Sequence, residues 1–230
     1  MAKRQFLRIK NISKYIPPYK RIADVGCDHG LLIIDAFDNY KIDYALAIDN
    51  KPGPLNKCVT NLMEKSYYNK VNFSLSSGIS EITPDIEVVV LAGMGGELVK
   101  NIIEVDLDKL SSIKRIIVQA NRDNYDVRKY LTSIGYDIKG ESIVYEDKKY
   151  YEVICFDKVS YKIREYSEAE LTYGPLNIKK RKPEFIDYLN SSLKKYSLIP
   201  FESEALKNKK NILKEIINNE DKWCLWIFKY

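Results

Sequence analysis

Arg21-Ile22-Ala23-Asp24-Val25-Gly26-Cys27-Asp28-His29-Gly30-Leu31-Leu32 is the stretch whose reading decides the fold. Its apolar start, Ile22 to Val25, reads as a short buried parallel strand that stops at an acidic residue and a glycine. Gly26 and Gly30 bracket a tight turn, and Leu31 opens an apolar helical stretch. Strand, glycine turn and helix start, in that order, build a nucleotide crevice at strand carboxyl ends in an open α/β sheet. Glycine lets backbone approach a ligand closely there, and the first N–H groups of the helix are free to bind it. Ile48-Asp49 closes a second apolar run about 20 residues further on, where a ribose-binding carboxylate belongs. The plain alternative is an ordinary βα turn that carries polar residues by chance. A nicotinamide fingerprint is disfavoured, because Asp28 stands where G-x-G-x-x-G needs its second glycine.

Outward from this stretch, the pattern alternates. Phe6, Ile9, Ile12 and Ile16 recur at helical spacing before it, and Pro17-Pro18 ends that helix. Beyond the turn, the spacing predicts a helix near 30–38, a strand from Asp43 to Ile48, and a helix from Pro54 to about Lys65. A strand from Val71 to Leu75 turns out through Ser76-Ser77-Gly78. Ile86 to Ala92 has the β-branched, nearly continuous apolar character of a central parallel strand. It ends in Gly93-Met94-Gly95-Gly96, and a helix follows through Val99, Ile102 and Ile103. Ile113 to Val118 predicts a fifth strand ending in Gln119-Ala120-Asn121, with a helix starting over Asp126 to Leu131. Tyr136 to Tyr145 and Tyr150 to Phe156 read as an antiparallel pair around Asp147-Lys148-Lys149. Alternating strands and helices that close with a hairpin describe a seven-stranded, mostly parallel sheet with an antiparallel edge, the layout of class I S-adenosylmethionine-dependent methyltransferases.

After about Lys158 the pattern changes to two helical repeats, one through Phe185, Leu189 and Tyr196, the other through Leu206, Leu213 and Ile217. The expected division is therefore a cofactor-binding domain over 1–158 and a helical, coiled-coil-like domain over 159–230. The helical pair either packs on the sheet or protrudes as an arm. The 230 residues are 45% hydrophobic, enough for a globular core without staples. Cys27, Cys58, Cys155 and Cys224 are scattered without C-x-x-C spacing, and with one histidine they supply no metal ligand set. The amino-terminal stretch has no apolar signal core and no apolar run approaches a membrane span, so a soluble, cytoplasmic protein is expected; a monomer is a separate expectation. The formal charge of +5, from 37 Lys+Arg against 32 Asp+Glu, permits a polyanionic partner without requiring one.

Four stops along the chain are recognisable together: Asp24-Val25-Gly26-Cys27-Asp28-His29-Gly30, Leu91-Ala92-Gly93-Met94-Gly95-Gly96, Gln119-Ala120-Asn121 and Lys149-Tyr150-Tyr151-Glu152-Val153. With Tyr173-Gly174-Pro175-Leu176 ahead of the helical pair, the chain resembles the bacterial tRNA adenine-N1 methyltransferases of the TrmK family, over residues 5 to 220. The resemblance implies S-adenosyl-L-methionine as cofactor, tRNA as partner and adenosine 22 as target. It implies cofactor contacts from Asp24, Gly26, Cys27, Gly30, Asp49, Asn50, Ser77, Gly78, Ala92 and Gly93. Met94, Gly95 and Gly96 would clamp the target base, and Tyr125 would stack on it. Arg8, Arg122, Lys180 and Arg181 would meet phosphates, as would Lys3, Arg4, Lys10 and Arg128. Asn121, Asp28, His29 and Glu97 are the candidate catalytic residues, with Asp28 or Glu97 taking a proton from the methylated base. A lone histidine at a helix start can equally be a structural donor that orients Asp28.

Two departures from the family stand out. Ser77 replaces an acidic residue at the cofactor adenine, which removes one hydrogen bond worth about 0.5–1.5 kcal/mol. Ala120 replaces a proline that fixes the loop of Asn121. The competing functions are a methyltransferase on another RNA base or small molecule, and a non-catalytic RNA-binding protein that kept the crevice.

Overall fold

A computed structural model of the chain describes residues 6–201 and 203–218. In chain order the elements are α1 (Leu7–Ser13), β1 (Arg21–Val25), α2 (Leu31–Tyr40), β2 (Tyr44–Asp49), α3 (Pro52–Met63), β3 (Val71–Leu75) and β4 (Val88–Met94). They continue with α4 (Gly96–Val105), β5 (Arg115–Ala120), α5 (Asn124–Ser133), β6 (Tyr136–Glu146) and β7 (Lys149–Lys158). Four helices follow: α6 (Glu168–Tyr173), α7 (Pro175–Lys180), α8 (Pro183–Ser197) and α9 (Glu204–Asn218). The strands form one seven-stranded sheet in the order β3-β2-β1-β4-β5-β7-β6. All pairings are parallel except those of β7 with β5 and β6.

Because successive strand residues face opposite sides, central strands that are apolar throughout must be covered on both. One side buries Ala23, Val25, Val89, Leu91, Ile116 and Val118 against Val99, Ile103, Val127 and Leu131 of α4 and α5. The other buries Ile22, Ala45, Val88, Val90 and Ile117 against Ile12, Leu32, Ile33, Leu55 and Leu62 of α1, α2 and α3. A third cluster lies outside the sheet sandwich. There Ile143 of β6 joins Tyr173, Ile178, Phe185, Leu189, Leu213 and Ile216 of the carboxyl-terminal helices. So the helical pair both packs on the edge strand, at its root, and extends from it.

Element boundaries differ from the sequence expectation in instructive places. α3 begins at Pro52, not Pro54, since Lys51 supplies the extended cap and Pro52 the preset first turn. β4 runs on through Gly93 to Met94, with a register irregularity between Ala92 and Met94 where Gly93 has φ +80°. Thus half of the glycine box is strand. β5 likewise includes Gln119 and Ala120. The β6–β7 connection is the residue pair Asp147-Lys148, both at positive φ, as a two-residue primed turn demands. The short helices α6 and α7 were not expected; a Ser167/Glu170 capping box starts the first and Pro175 the second.

Arg115 fixes α1 to this frame. Its guanidinium pairs with both carboxylate oxygens of Asp157 and donates to the carbonyls of Tyr15 (2.7 Å) and Pro17 (2.6 Å). That anchor leaves the amino-terminal half of α1 lying over the carboxyl ends of the strands.

Candidate active site

The strand order reverses between β1 and β4, which is where an open parallel sheet leaves a crevice. The crevice here is about 610 Å³. Gly26, Asp28, Ala92, Gly93, Ala120 and Asn121 line it from the strand ends, Arg8 from α1, and Lys149, Tyr150 and Tyr151 from β7. A second lobe adds Asp24, Cys27 and His29.

Backbone hydrogen bonds hold the first turn. The N–H groups of Gly26 and Cys27 both donate to the Ile48 carbonyl (2.8 and 3.0 Å), and that of Gly30 to Cys27 (2.7 Å). Gly26 sits at φ +80° and Gly30 at φ +68°; Asp28, at φ +43°, shares that strained region without being glycine. Asp49 explains how the strain is held, since its carboxylate accepts from Asp28 N (3.3 Å) and Lys51 N (3.0 Å). Each oxygen keeps a further lone pair for a ligand hydroxyl. Asp24 is buried at the end of β1, and its carboxyl is pushed up to about 7, first by loss of water and then by the charge of Asp49. Asp28 and His29 lie 3.7 Å apart and are well exposed. Asn50 and Ser77 are exposed and Gly78 buried, beside Asp49 at the ends of β2 and β3, where Ser76 N donates to the Asp49 carbonyl (3.1 Å).

The opposite wall is a chain of side-chain hydrogen bonds. Arg8 Nη1 donates to Gln119 Oε1 (2.8 Å), Gln119 Nε2 to Asn121 Oδ1 (3.2 Å), and Asn121 Nδ2 to the Gly93 carbonyl (2.8 Å). Asn121 N also donates to the Met94 carbonyl (2.8 Å), so the loop is held without the proline that Ala120 replaces. Arg8 lies over the Tyr151 ring, 5.4 Å from its centre. Lys149, Tyr150 and Tyr151 had no site role in the sequence reading. Their signal was there: an antiparallel final strand must start at the sheet edge where the parallel strands end.

Several expected residues are placed elsewhere. Glu97 lines a separate groove between α4 and α5 with Lys100, Asp126 and Tyr130, so it does not face the crevice. Tyr125 lies under Lys129 on α5 and is not among the crevice-lining residues. Gly96 is buried because α4 meets the β5–α5 loop there: a Cβ would stand 2.7 Å from the Asp123 carbonyl and 2.9 Å from Val127 Cγ2. Its role is packing. Gly96→Ala is therefore expected to lower stability by about 1–3 kcal/mol, read as an earlier urea midpoint. Gly95 lies beneath the Arg122 side chain, and Met94 reaches across to Gly26. Arg128 is wholly buried and meets no phosphate. Arg181 donates to the Ile216 (2.6 Å) and Ile217 (3.1 Å) carbonyls of α9. Lys180 stands near it, away from the crevice, in a cleft with Glu141 and Asn177. Lys3, Arg4 and Cys224 lie outside the described residues.

Residues 22–222 match the family described as tRNA (adenine(22)-N(1))-methyltransferase, TrmK. The tRNA (adenine(22)-N(1))-methyltransferase of Bacillus subtilis is 30% identical over 148 residues, which span 64% of this chain and 62% of that enzyme's length. Among solved structures, M. capricolum TrmK in complex with S-adenosyl-homocysteine superposes with a TM-score of 0.80 at 26% identity, covering 94% of this chain and 98% of that one. A Streptococcus pneumoniae protein in complex with S-adenosyl-L-methionine gives 0.85 at 28% identity, covering 92% and 98%.

Proposed function

The chain belongs to the TrmK family of tRNA (adenine(22)-N(1))-methyltransferases, and from that premise we propose that it methylates N1 of adenosine 22 in tRNA with S-adenosyl-L-methionine. The observation that carries the reading is the crevice itself. It joins a buried acidic strand end, a glycine turn tied to Asp49 and an aromatic wall within one opening. Among the described residues no helix is long and apolar enough to cross a membrane.

The residues fit the cofactor by chemistry. Asp49 offers two oxygens for a ribose diol, Asp24 a carboxylate for an ammonium, and Gly26 and Gly93 leave backbone open to a close ligand. When bound, the cofactor supplies a methyl group already activated on a sulfonium. The adenine nitrogen carries its own lone pair, so the protein's main task is alignment, which can contribute about 7–11 kcal/mol. Tyr150, Tyr151 and the Gly93 backbone line the crevice together, and Asn121 is held there by its bond to the Gly93 carbonyl, which supports a flat base being received at this wall. N1 lies on the Watson–Crick edge, so the adenosine is turned out of its stack before reaction. Methylation leaves a cation that sheds a proton from N6; Asp28, exposed in the crevice, accepts it.

The test is transfer itself. Purified protein, labelled S-adenosyl-L-methionine and unmodified bulk tRNA are incubated, and the digested nucleosides are resolved by mass. The expected product is 1-methyladenosine. Asp49→Ala removes two charged hydrogen bonds to the ligand and the partner of the Asp28 turn. It should weaken cofactor binding by about two to four orders of magnitude. A different methylated nucleoside would move the target, and cofactor binding without transfer to tRNA would leave a binding protein.

A further inference from the structure

Gln119 is a polar side chain in an apolar place. On β5 it shares the side of the sheet that buries Ile117 against α1, and it is wholly buried. An unpaired amide there would be costly, and an apolar residue would fill the space as well. Both ends of the amide are in use. Oε1 accepts from Arg8 Nη1 (2.8 Å), and Nε2 donates to Asn121 Oδ1 (3.2 Å). Asn121 Nδ2 in turn donates to the Gly93 carbonyl (2.8 Å). The order of donors and acceptors along this series is not free. A guanidinium has no acceptor and a backbone carbonyl no donor, so the two ends dictate how both amides between them are turned. Arg8 is itself held in place: its Nη1 stands 3.6 Å from where a Gly93 Cβ would lie, and its guanidinium lies over the Tyr151 ring. Arg8, Gly93 and Asn121 line the crevice, and Gln119 stands behind them. Asn121 thus reaches the crevice with one lone pair left on Oδ1 and with its nitrogen committed to Gly93.

We propose that Gln119 is a positioning residue for the methyl transfer: backed by Arg8, it turns the Asn121 amide so that Oδ1 receives the N6 amino group of the target adenine and Nδ2 is held off N1. The inference rests on the reading that an adenine N1 is methylated. Adenine presents a donor at N6 beside an acceptor at N1 on its Watson–Crick edge. A freely turning asparagine could pair with both, and its N–H would then occupy the lone pair that must attack. Tying Nδ2 to Gly93 removes that dead end. As the methyl group is transferred, positive charge spreads onto N6. The bond from N6 to Oδ1 is therefore stronger in the transition state than in the ground state, the kind that raises kcat. Guanine carries a carbonyl oxygen where adenine carries the amino group, and an acceptor at Oδ1 disfavours it. A purely structural role for the same series is to fasten α1 to β5.

The experiment is a double-mutant cycle between the protein and the base. Wild type, Gln119→Glu and Arg8→Met are assayed on two ligated tRNAs. One carries adenosine at position 22; the other carries purine riboside there, which keeps N1 and lacks the N6 amino group. Single-turnover rates are read at saturating enzyme and S-adenosyl-L-methionine, so that slow transfer is measurable. Gln119→Glu still accepts from Arg8 but cannot donate to Asn121. Arg8→Met removes the donor that orients the series, from a half-buried position. On adenosine the rate should fall about ten- to a hundredfold in Gln119→Glu and less in Arg8→Met, with the affinity for tRNA unchanged. On purine riboside, with no N6–H to misplace, both variants should stay within about threefold of wild type. The lower basicity of its N1 is common to all three proteins and cancels in the cycle. Titration with S-adenosyl-homocysteine at the wild-type value shows an intact fold; if Gln119→Glu fails there, the Arg8→Met cycle decides. Equal losses on the two bases, or no loss on adenosine, would overturn the positioning role and leave the fastening of α1. If wild type does not methylate the adenosine tRNA, it is the parent reading that fails.

Discussion

Arg128→Ala is expected to cost about 3–5 kcal/mol of folding stability, a large part of the 5–15 kcal/mol typical of a domain. Arg128 is fully buried between β6, β7 and the carboxyl-terminal helices. Its Nε donates to Glu141 Oε1 (2.8 Å), Nη2 pairs with Glu152, and Nη1 donates to the Leu171 carbonyl (2.9 Å). Glu141 in turn accepts from the backbone of Leu176 (2.7 Å) and Asn177 (3.3 Å), and Asn177 Nδ2 reaches Glu152 (3.2 Å). One guanidinium thus ties α5 to both hairpin strands and, through Glu141, to the start of α7. Removing it leaves two carboxylates in a dry site with no cation, the costly case. Glu152→Gln is the informative contrast. Burial pushes the Glu152 carboxyl upward, against the pull of Arg128, so removing its charge costs less than removing the cation. An amide there should cost no more than about 1–2 kcal/mol. Urea unfolding of both variants checks the contrast. Equal losses would mean that shape, and not charge compensation, holds this junction.

The same cluster shows what the sequence does and does not disclose. The sheet was legible because its information is local: β-branched runs, glycine turns and the Asp147-Lys148 hairpin each dictate their own conformation. The first turn and Asp49 were legible for the same reason, since twenty residues of βα unit bring them together. Arg128 was misread because a basic residue in a helix carries no mark of its burial. That depends on Glu141 and Glu152 from two strands further on. Arg181 shows the same limit, its guanidinium being taken by the end of α9, thirty-five residues later. Glu97 failed differently. It lies in the first turn of α4, on the side that meets α5, in a groove with Lys100, Asp126 and Tyr130. Tyr150 and Tyr151 were within reach, had the antiparallel direction of β7 been used to locate its first residues.

Asp24 gives the second large effect, through pH. Its folded-state pKa of about 7 lies above the ordinary carboxyl value of 3.8. The native protein therefore binds more protons than the unfolded chain between about pH 4 and 7. Its stability falls as pH rises through that window, by up to about 4 kcal/mol from this group alone. Glu152 contributes in the same direction, so the two are separated by comparing Asp24→Asn with Glu152→Gln. An ammonium seated at the end of β1 reverses the preference, because it favours the carboxylate. Binding of S-adenosyl-homocysteine to wild type should thus strengthen roughly eightfold between pH 6 and pH 7.5, as the ionised fraction of Asp24 rises. In Asp24→Asn, affinity should be weaker at pH 7.5 and flat across the same range. Calorimetric titration at the two pH values decides it. A flat wild-type profile would place the ammonium away from Asp24, and Asp28, the exposed carboxylate of the same turn, would then be its partner.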